Sequence, residues 1–372
     1  MSAEGMNACG DDRGSASAQR ISRLAGSLVL IASVLIAPVA VAQDVPAEAP
    51  ASDPKADAAM HRALEWLKAN QKASGGWESG NHGEMTSVTS LAVMAFLSAG
   101  HVPNEPGPYR EAIERGVRYV LRNQKPNGFL VSNPSHGPMY CHGISTLMLA
   151  EVVGMAPSSS LADEIRPALV RAVELILKAQ ARKKPKDQEG GWRYQPDSID
   201  SDLSVTGWQV MALRAAKSAG CAVSAEPIEK AIAYIKRCAH KDGGGFAYQA
   251  GGGPVNNPRT GTGTLALEIC GEHLSPEAVA GAEYLLKHAP QWSSDYFFYE
   301  VYYAPQAMFQ VGDKYFRGYY PKLVKVLLDH QDKNGSWLAG GGNDRTGGRV
   351  YCTSMAVLAL AVEYRYLPIY QR

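Results

Sequence analysis

The chain has 372 residues, 45% of them hydrophobic, with 37 Lys and Arg against 36 Asp and Glu and a net charge of +1. That is enough apolar chain for a substantial core. The balanced charge leaves no basic stripe or acidic tail to meet nucleic acid, and six cysteines without a CxxC pair exclude a zinc ribbon or a thioredoxin-like motif.

In chain order, Arg13, Arg20 and Arg23 precede the apolar run 24–37, then Pro38 and the small-residue site Ala40-Val41-Ala42. This pattern predicts a signal peptide over 1–42, cleaved after Ala42, and export to the periplasm or the cell exterior. An uncleaved N-terminal membrane anchor is the alternative. Residues 43–57, with Pro46, Pro50 and Pro54, read as an extended Pro/Ala-rich linker. The cysteines beyond Ala42 (Cys141, Cys221, Cys238, Cys270, Cys352) are scattered singly and read as small buried hydrophobes.

From 58 to 372 the chain repeats itself. Gln71-Lys-Ala-Ser-Gly-Gly-Trp77 returns as Gln331-Asp-Lys-Asn-Gly-Ser-Trp337, with degenerate copies at Gln124 to Phe129, Gly190-Gly191-Trp192 and Gly244-Gly245-Phe246, and Trp292 as a weak sixth. The aromatic anchors lie 52, 63, 54, 46 and 45 residues apart, which predicts about six copies of one unit. Before each anchor runs an amphipathic helix, as in Ala63-Leu64 with Leu67, or Ile232 with Ile235. The Gly pair stops it. A polar loop follows, then a helix apolar on nearly every side, such as 91–97 or 354–361, which must be buried. The expected fold is all-α: an α/α toroid, a double ring of helical hairpins with amphipathic helices outside and apolar ones inside.

Aligned, the inner helices open with Thr89, His142, Thr206, Thr260, Tyr303 and Thr353, each followed by a small residue. Their N-terminal ends carry free N–H groups and partial positive charge, and are expected to surround one central cavity. His142 and Tyr303 break the Thr pattern and are the first candidates for chemistry.

The Gln-x-x-x-Gly-x-Trp turns at 71–77 and 331–337 resemble those of squalene–hopene cyclases and protein prenyltransferase β-subunits. The chain most resembles shorter prenyltransferase/squalene oxidase repeat proteins of the terpene cyclase type, over roughly 57–372. One fold hosts many functions, so the family signatures need testing residue by residue. Family cyclases place Asp-x-Asp-Asp-Thr at the start of an inner helix, with the middle Asp as proton donor. Here Asp202-Leu203-Ser204-Val205 precedes Thr206, so Ser204 holds the donor position, and a hydroxyl cannot supply the strong acid required. Asp200 and Asp202 remain as acids, with helix capping as their structural alternative. Protein prenyltransferases hold zinc with an Asp and a Cys two apart, and a His from another helix. Cys141 and Cys352 fill the Cys position, but Met139 and Val350 stand at the Asp position. No metal and no cofactor is therefore expected; a Cys141-His142-Asp202 site would contradict this. Cys270-Gly-Glu-His273 has His where a thioester needs Gln.

The resemblance implies an exported terpene cyclase- or prenyltransferase-like toroid binding an extended isoprenoid or similar apolar ligand. Aromatic walls suit such a chain and its cationic intermediates, although aromatics in a buried ring also simply fill space. The expected ligand-binding residues are Tyr140, Trp208, Arg259, Glu300, Tyr302 and Tyr351. Arg259, with Arg345 and Arg349, suits a diphosphate or carboxylate. A conversion would be acid-assisted cyclisation or isomerisation, with Asp200 or Asp202 as acid and His142 or Tyr303 positioning it. Two other classes stay open: a polysaccharide lyase-like toroid using Arg259 with Tyr302 or Tyr303 as base, and a non-catalytic binding protein associated with the envelope or membrane periphery.

Overall fold

The structure, a computed structural model, describes residues 53–133, 137–242 and 244–371; the expected signal peptide and residues 43–52 of the expected linker lie outside them. The rest of that linker is helical. Asp53 caps the first helix by accepting from the Lys55 N–H at 2.8 Å, and Pro54 sits where its missing N–H and fixed φ cost nothing.

Among the described residues, twelve helices alternate between two layers. The outer ones are α1 (Pro54–Ala69), α3 (Arg110–Arg122), α5 (Ser160–Gln180), α7 (Ala225–Cys238), α9 (Pro276–Lys287) and α11 (Asp313–Asp329). The inner ones are α2 (Thr86–Ser98), α4 (Pro138–Met155), α6 (Leu203–Ser218), α8 (Asn257–Ile269), α10 (Phe297–Val311) and α12 (Asp344–Leu360). Every residue of α2 is buried, whereas α3 buries only Ala112, Ile113, Gly116, Val117, Tyr119 and Val120. Each inner helix packs on the next, and α12 packs back on α2. The ring is closed, as the alternation of amphipathic and wholly apolar segments requires.

The recurring turn explains its own sequence. The Gln side chain donates twice, to the Gly carbonyl of its turn and to a carbonyl of the next outer helix. Gln71 reaches Gly75 and Ala112, Gln124 reaches Gly128 and Ala168, and Gln180 reaches Gly190 and Pro227. Gly75, Gly190 and Gly335 adopt φ of +93°, +90° and +89°, and a Cβ there would lie within 2.5 Å of the Arg115, Lys230 and Arg62 carbonyl oxygens. Both the angle and the close approach demand glycine. The buried anchors Trp77, Trp192 and Trp337 each give their backbone N–H to a Thr hydroxyl of the inner helix (Thr89, Thr206, Thr353) at 3.0 Å. Their indole N–H groups go to Leu67, Ile176 and Leu327 near the end of the preceding outer helix. One side chain thus ties both layers together.

Two anchors differ from expectation. In the second repeat Lys125 N–H bonds to the Phe129 carbonyl, as Lys72 N–H bonds to Gly76, so Phe129 matches Gly76 and buried Leu130 occupies the Trp position. In the fifth, Trp292 is only half-buried and stacks on His330 with ring centroids 4.2 Å apart.

Residues 361–371 cross the end of the ring opposite these turns. Pro368 lies beside Gly154 of α4, and the Ile369 N–H donates to Glu151 Oε2 at 3.2 Å. Tyr370 bonds through its hydroxyl to Tyr302 at 2.7 Å and through its carbonyl to Gln310 Nε2 at 2.9 Å. Tyr370 is 4% exposed. This segment stoppers the base of the ring.

Candidate functional site

At the turn side, the N-terminal ends of the inner helices and the loops before them enclose a cavity of about 1390 Å³. Its lining is graded. Leu91, Ile144, Trp208 and Met355 stand one or more turns inside their helices and are apolar, while Arg193, Gln195, Asp200, Asn256, Arg259 and Asn343 belong to the loops or first turns and are polar. Tyr140, Tyr194, Tyr248, Tyr296, Tyr299 and Tyr351 lie among them.

Of the residues expected from the sequence, Tyr140, Trp208, Arg259, Tyr351 and Asp200 line this cavity. Asp200 is half exposed and 3.3 Å from Arg193 Nη1. Asp202 stands behind the wall as the N-cap of α6. Its Oδ1 accepts from the Val205 N–H at 2.8 Å, and its Oδ2 lies 3.5 Å from Arg193 Nε. Burial pushes its pKa up to about 6, against the lowering pull of the Val205 N–H and Arg193.

His142 faces the outer layer instead of the cavity. Its Nδ1 accepts from the Leu130 N–H at 3.2 Å, so Nε2 carries the proton and donates to the Ala172 carbonyl at 3.1 Å. It does for Leu130 what the threonines do for the tryptophans, and the Thr column as a whole points outward. Burial pulls the His142 pKa down to about 4, which keeps the ring neutral.

Tyr302 and Tyr303 are buried outside the lining, packed against Trp208. Trp208 stacks on Tyr302 at 4.8 Å and meets Tyr303 edge-on at 5.2 Å. Neither tyrosine joins Arg259 in the cavity wall, so the pairing expected of a lyase is not brought together. Glu300 accepts from Asn257 Nδ2 at 2.8 Å and from Tyr319 of α11 at 2.7 Å, away from the lining, and burial pushes its pKa up to about 7. Arg345 donates to the Ala339 and Gly340 carbonyls, and Arg349 pairs with Asp332.

The thiol of Cys141 donates to Ser87 Oγ at 3.4 Å, so Cys141, His142 and Asp202 each have separate employment. Among the described residues no group of three or more His, Cys, Asp or Glu is placed to hold a metal ion.

Several lining residues escaped the sequence reading. Arg193 lies over the rings of Tyr194 (4.7 Å) and Tyr248 (5.3 Å), whose hydroxyls bond to each other. A signal for them exists: Ser79, Tyr194 and Tyr248 each stand two places after an anchor, and all three line the cavity. Asp344 opens α12, with Oδ2 accepting from the Phe298 N–H at 2.6 Å and Oδ1 from the Tyr351 hydroxyl at 3.2 Å. Burial pushes its pKa up to about 6. No periodic pattern marks it.

A family model of the squalene-hopene cyclase C-terminal domain matches residues 43–144. The chain is similar to drimenyl diphosphate synthase of Streptomyces showdoensis, 26% identical over 186 residues, which is 50% of this chain and 32% of that protein. The match thus spans about a third of that relative's length. Among solved structures it is similar to the type II terpene cyclase MstE from Scytonema in complex with merosterolic acid A (15% identity, TM-score 0.57, 84% of this chain and 98% of that one). It is also similar to the GH76A α-1,6-mannanase of a Salegentibacter species (12% identity, TM-score 0.61, 85% and 99%). At such identities the structural likenesses speak for the fold. The expected resemblance stands: this is a squalene cyclase-like α/α toroid.

Proposed function

We propose that the cavity holds an extended, isoprenoid-type ligand, with its apolar tail against Leu91, Ile144, Trp208 and Met355 and its polar end at the mouth. The observation that carries this reading is the gradient of the lining, apolar inside and polar at the rim. Each methylene buried there contributes about 0.8 kcal/mol. The likeness to MstE, solved with geranylgeranyl dihydroxybenzoate (14% identity, TM-score 0.55) as well as merosterolic acid A, and to a drimenyl diphosphate synthase supports it.

Conversion of the ligand, in this reading, is acid-assisted cyclisation or isomerisation. Asp200 is solvated and paired with Arg193, and Asp202 stands behind that arginine. Asp344 lines the cavity and has a raised pKa, so proton delivery falls to it. We further propose that the protein works outside the cytoplasm after losing residues 1–42, on the strength of the basic, apolar and small-residue pattern there.

Titration with a fluorescent farnesyl analogue at two salt concentrations tests the binding. Saturable, salt-insensitive binding weakened about tenfold by Leu91→Gln is expected. Salt-sensitive binding of an acidic polysaccharide with no lipid binding would overturn it. The mass of the mature N-terminus tests export, and an intact Met1 would refute cleavage.

A further inference from the structure

Most charges at the cavity mouth are already matched. The Arg193 guanidinium lies 3.3 Å from Asp200 and 3.5 Å from Asp202. Behind it the buried Lys184 ammonium donates to the Gly191 carbonyl at 2.5 Å and to Ser201 Oγ at 3.2 Å, within the field of the same two carboxylates. These two cations and two anions cancel. Asp344 is turned to the Phe298 N–H and the Tyr351 hydroxyl.

Arg259 is different. It stands in the first turn of α8, just after the N-cap Asn256, whose Oδ1 accepts both its backbone N–H (3.1 Å) and its side-chain Nε (2.9 Å). That pair of hydrogen bonds pins the stem of the side chain. Nη1 and Nη2 then remain, on a residue that lines the cavity, with no hydrogen bond or ion pair to any described residue. Burial lowers the Arg259 pKa, as it does for a charge lacking an acidic neighbour. With Nε engaged, the two terminal nitrogens form a planar fork whose spacing matches the two oxygens of a carboxylate.

We propose that Arg259 receives a singly charged carboxylate at the polar end of the ligand, so that the cavity takes isoprenoid carboxylic acids in preference to the corresponding alcohols and diphosphates. This rests on the isoprenoid reading above. A diphosphate carries more than one negative charge, and the wall offers one unmatched cation, so the surplus charge would be left without a partner. An alcohol leaves the fork half used. Asn256 is a positioning residue: its Oδ1 holds Arg259 in place through the backbone N–H and Nε.

Competition against the fluorescent farnesyl probe, using farnesoic acid, farnesol and farnesyl diphosphate, tests the assignment. Farnesoic acid is expected to displace the probe at about tenfold lower concentration than farnesol, or about 1.4 kcal/mol, and the diphosphate no better than farnesol. Arg259→Gln should bring the acid down to the level of the alcohol. Arg259→Lys should restore part of the advantage, because it keeps the charge and loses the fork. Asn256→Ala should reduce the advantage while leaving the charge in place. Equal affinity for acid and alcohol, a preference for the diphosphate, or an acid advantage that survives Arg259→Gln each overturns the headgroup assignment alone, since farnesol still binds. If the folded wild-type protein binds none of the three ligands, the isoprenoid reading itself falls and takes this inference with it. The wild-type series is decisive even where a variant fails to fold.

Discussion

Gln331 Nε2 lies 2.8 Å from the carbonyl oxygen of Ala59, a bond between residues 272 positions apart. It is the same bond that Gln71 makes to Ala112, with the first outer helix standing in for the next one. The seam of the ring is therefore chemically equivalent to the joints made by Gln71, Gln124 and Gln180.

Gln331→Ala should destabilise the fold by about 1–3 kcal/mol, because the Gly335 carbonyl loses the Gln331 donor and the Ala59 carbonyl, already bonded within α1, loses its bond across the seam. Hydrogen exchange should rise selectively in α1. Gln71→Ala is the comparison, losing the equivalent pair inside the ring. Unchanged protection of α1 would mean that the seam is held by packing alone.

Trp77→Ala and Trp337→Ala should each cost about 3–5 kcal/mol, since each ring is fully buried and its indole N–H bonds across the layers. Trp292→Ala should cost much less, because that ring is half-exposed and stacked on His330. Equal losses in thermal melts of all three would show Trp292 to be an anchor after all.

His142 supplies a pH test of its structural role. Its folded pKa is lowered to about 4 from 6.5, so between those values the unfolded chain takes up a proton that the folded one refuses. Stability is lost as pH falls through that window, on the order of 3 kcal/mol by pH 4. His142→Thr restores the residue used at the other joints and should fold, at a cost near neutral pH of about 0.5–1.5 kcal/mol for the lost hydrogen bond to the Ala172 carbonyl. The gap between wild type and variant should then narrow toward pH 4. A gap that stays constant with pH would contradict the buried, neutral ring.

Much of this architecture was legible because it repeats. The Gln, Gly and Trp positions recur, and the wholly apolar helices could only be inner ones. Orientation was not legible. His142 and Tyr303 were expected at the cavity because they break the Thr column, yet Thr89, Thr206 and Thr353 face their tryptophans, and His142 follows them toward Leu130. A helix buried on all sides has no polar face to reveal which way a residue points, so Glu300, Tyr302 and Tyr303 were placed in a wall they do not reach. Arg193 and Asp344 were missed for a related reason. They lie beside the repeat's fixed positions, where nothing periodic marks them.

Glu151 carries the opposite pH signature to His142. It is buried, accepts from the Ile369 N–H and has its pKa pushed up to about 8 by burial. Below pH 4.5 both folded and unfolded chains hold the proton; as pH rises toward 8 the unfolded chain alone releases it, and stability declines. Glu151→Gln keeps the acceptor and should flatten that decline by a few kcal/mol, raising the melting temperature at pH 8. If the variant melts no higher than wild type at pH 8, the carboxyl is already ionised and solvated at the base.

The stoppered base also governs traffic. A tube closed at one end is filled and emptied through the same opening, so a ligand that enters tail first must back out head first along the path by which it came. Exchange rates should accordingly respond to the residues that crowd the rim, such as Tyr194 and Tyr296, which are 37% and 43% exposed. Changes at Trp208, deep in the bore, should alter how much fits and leave the pace of exit largely to the rim.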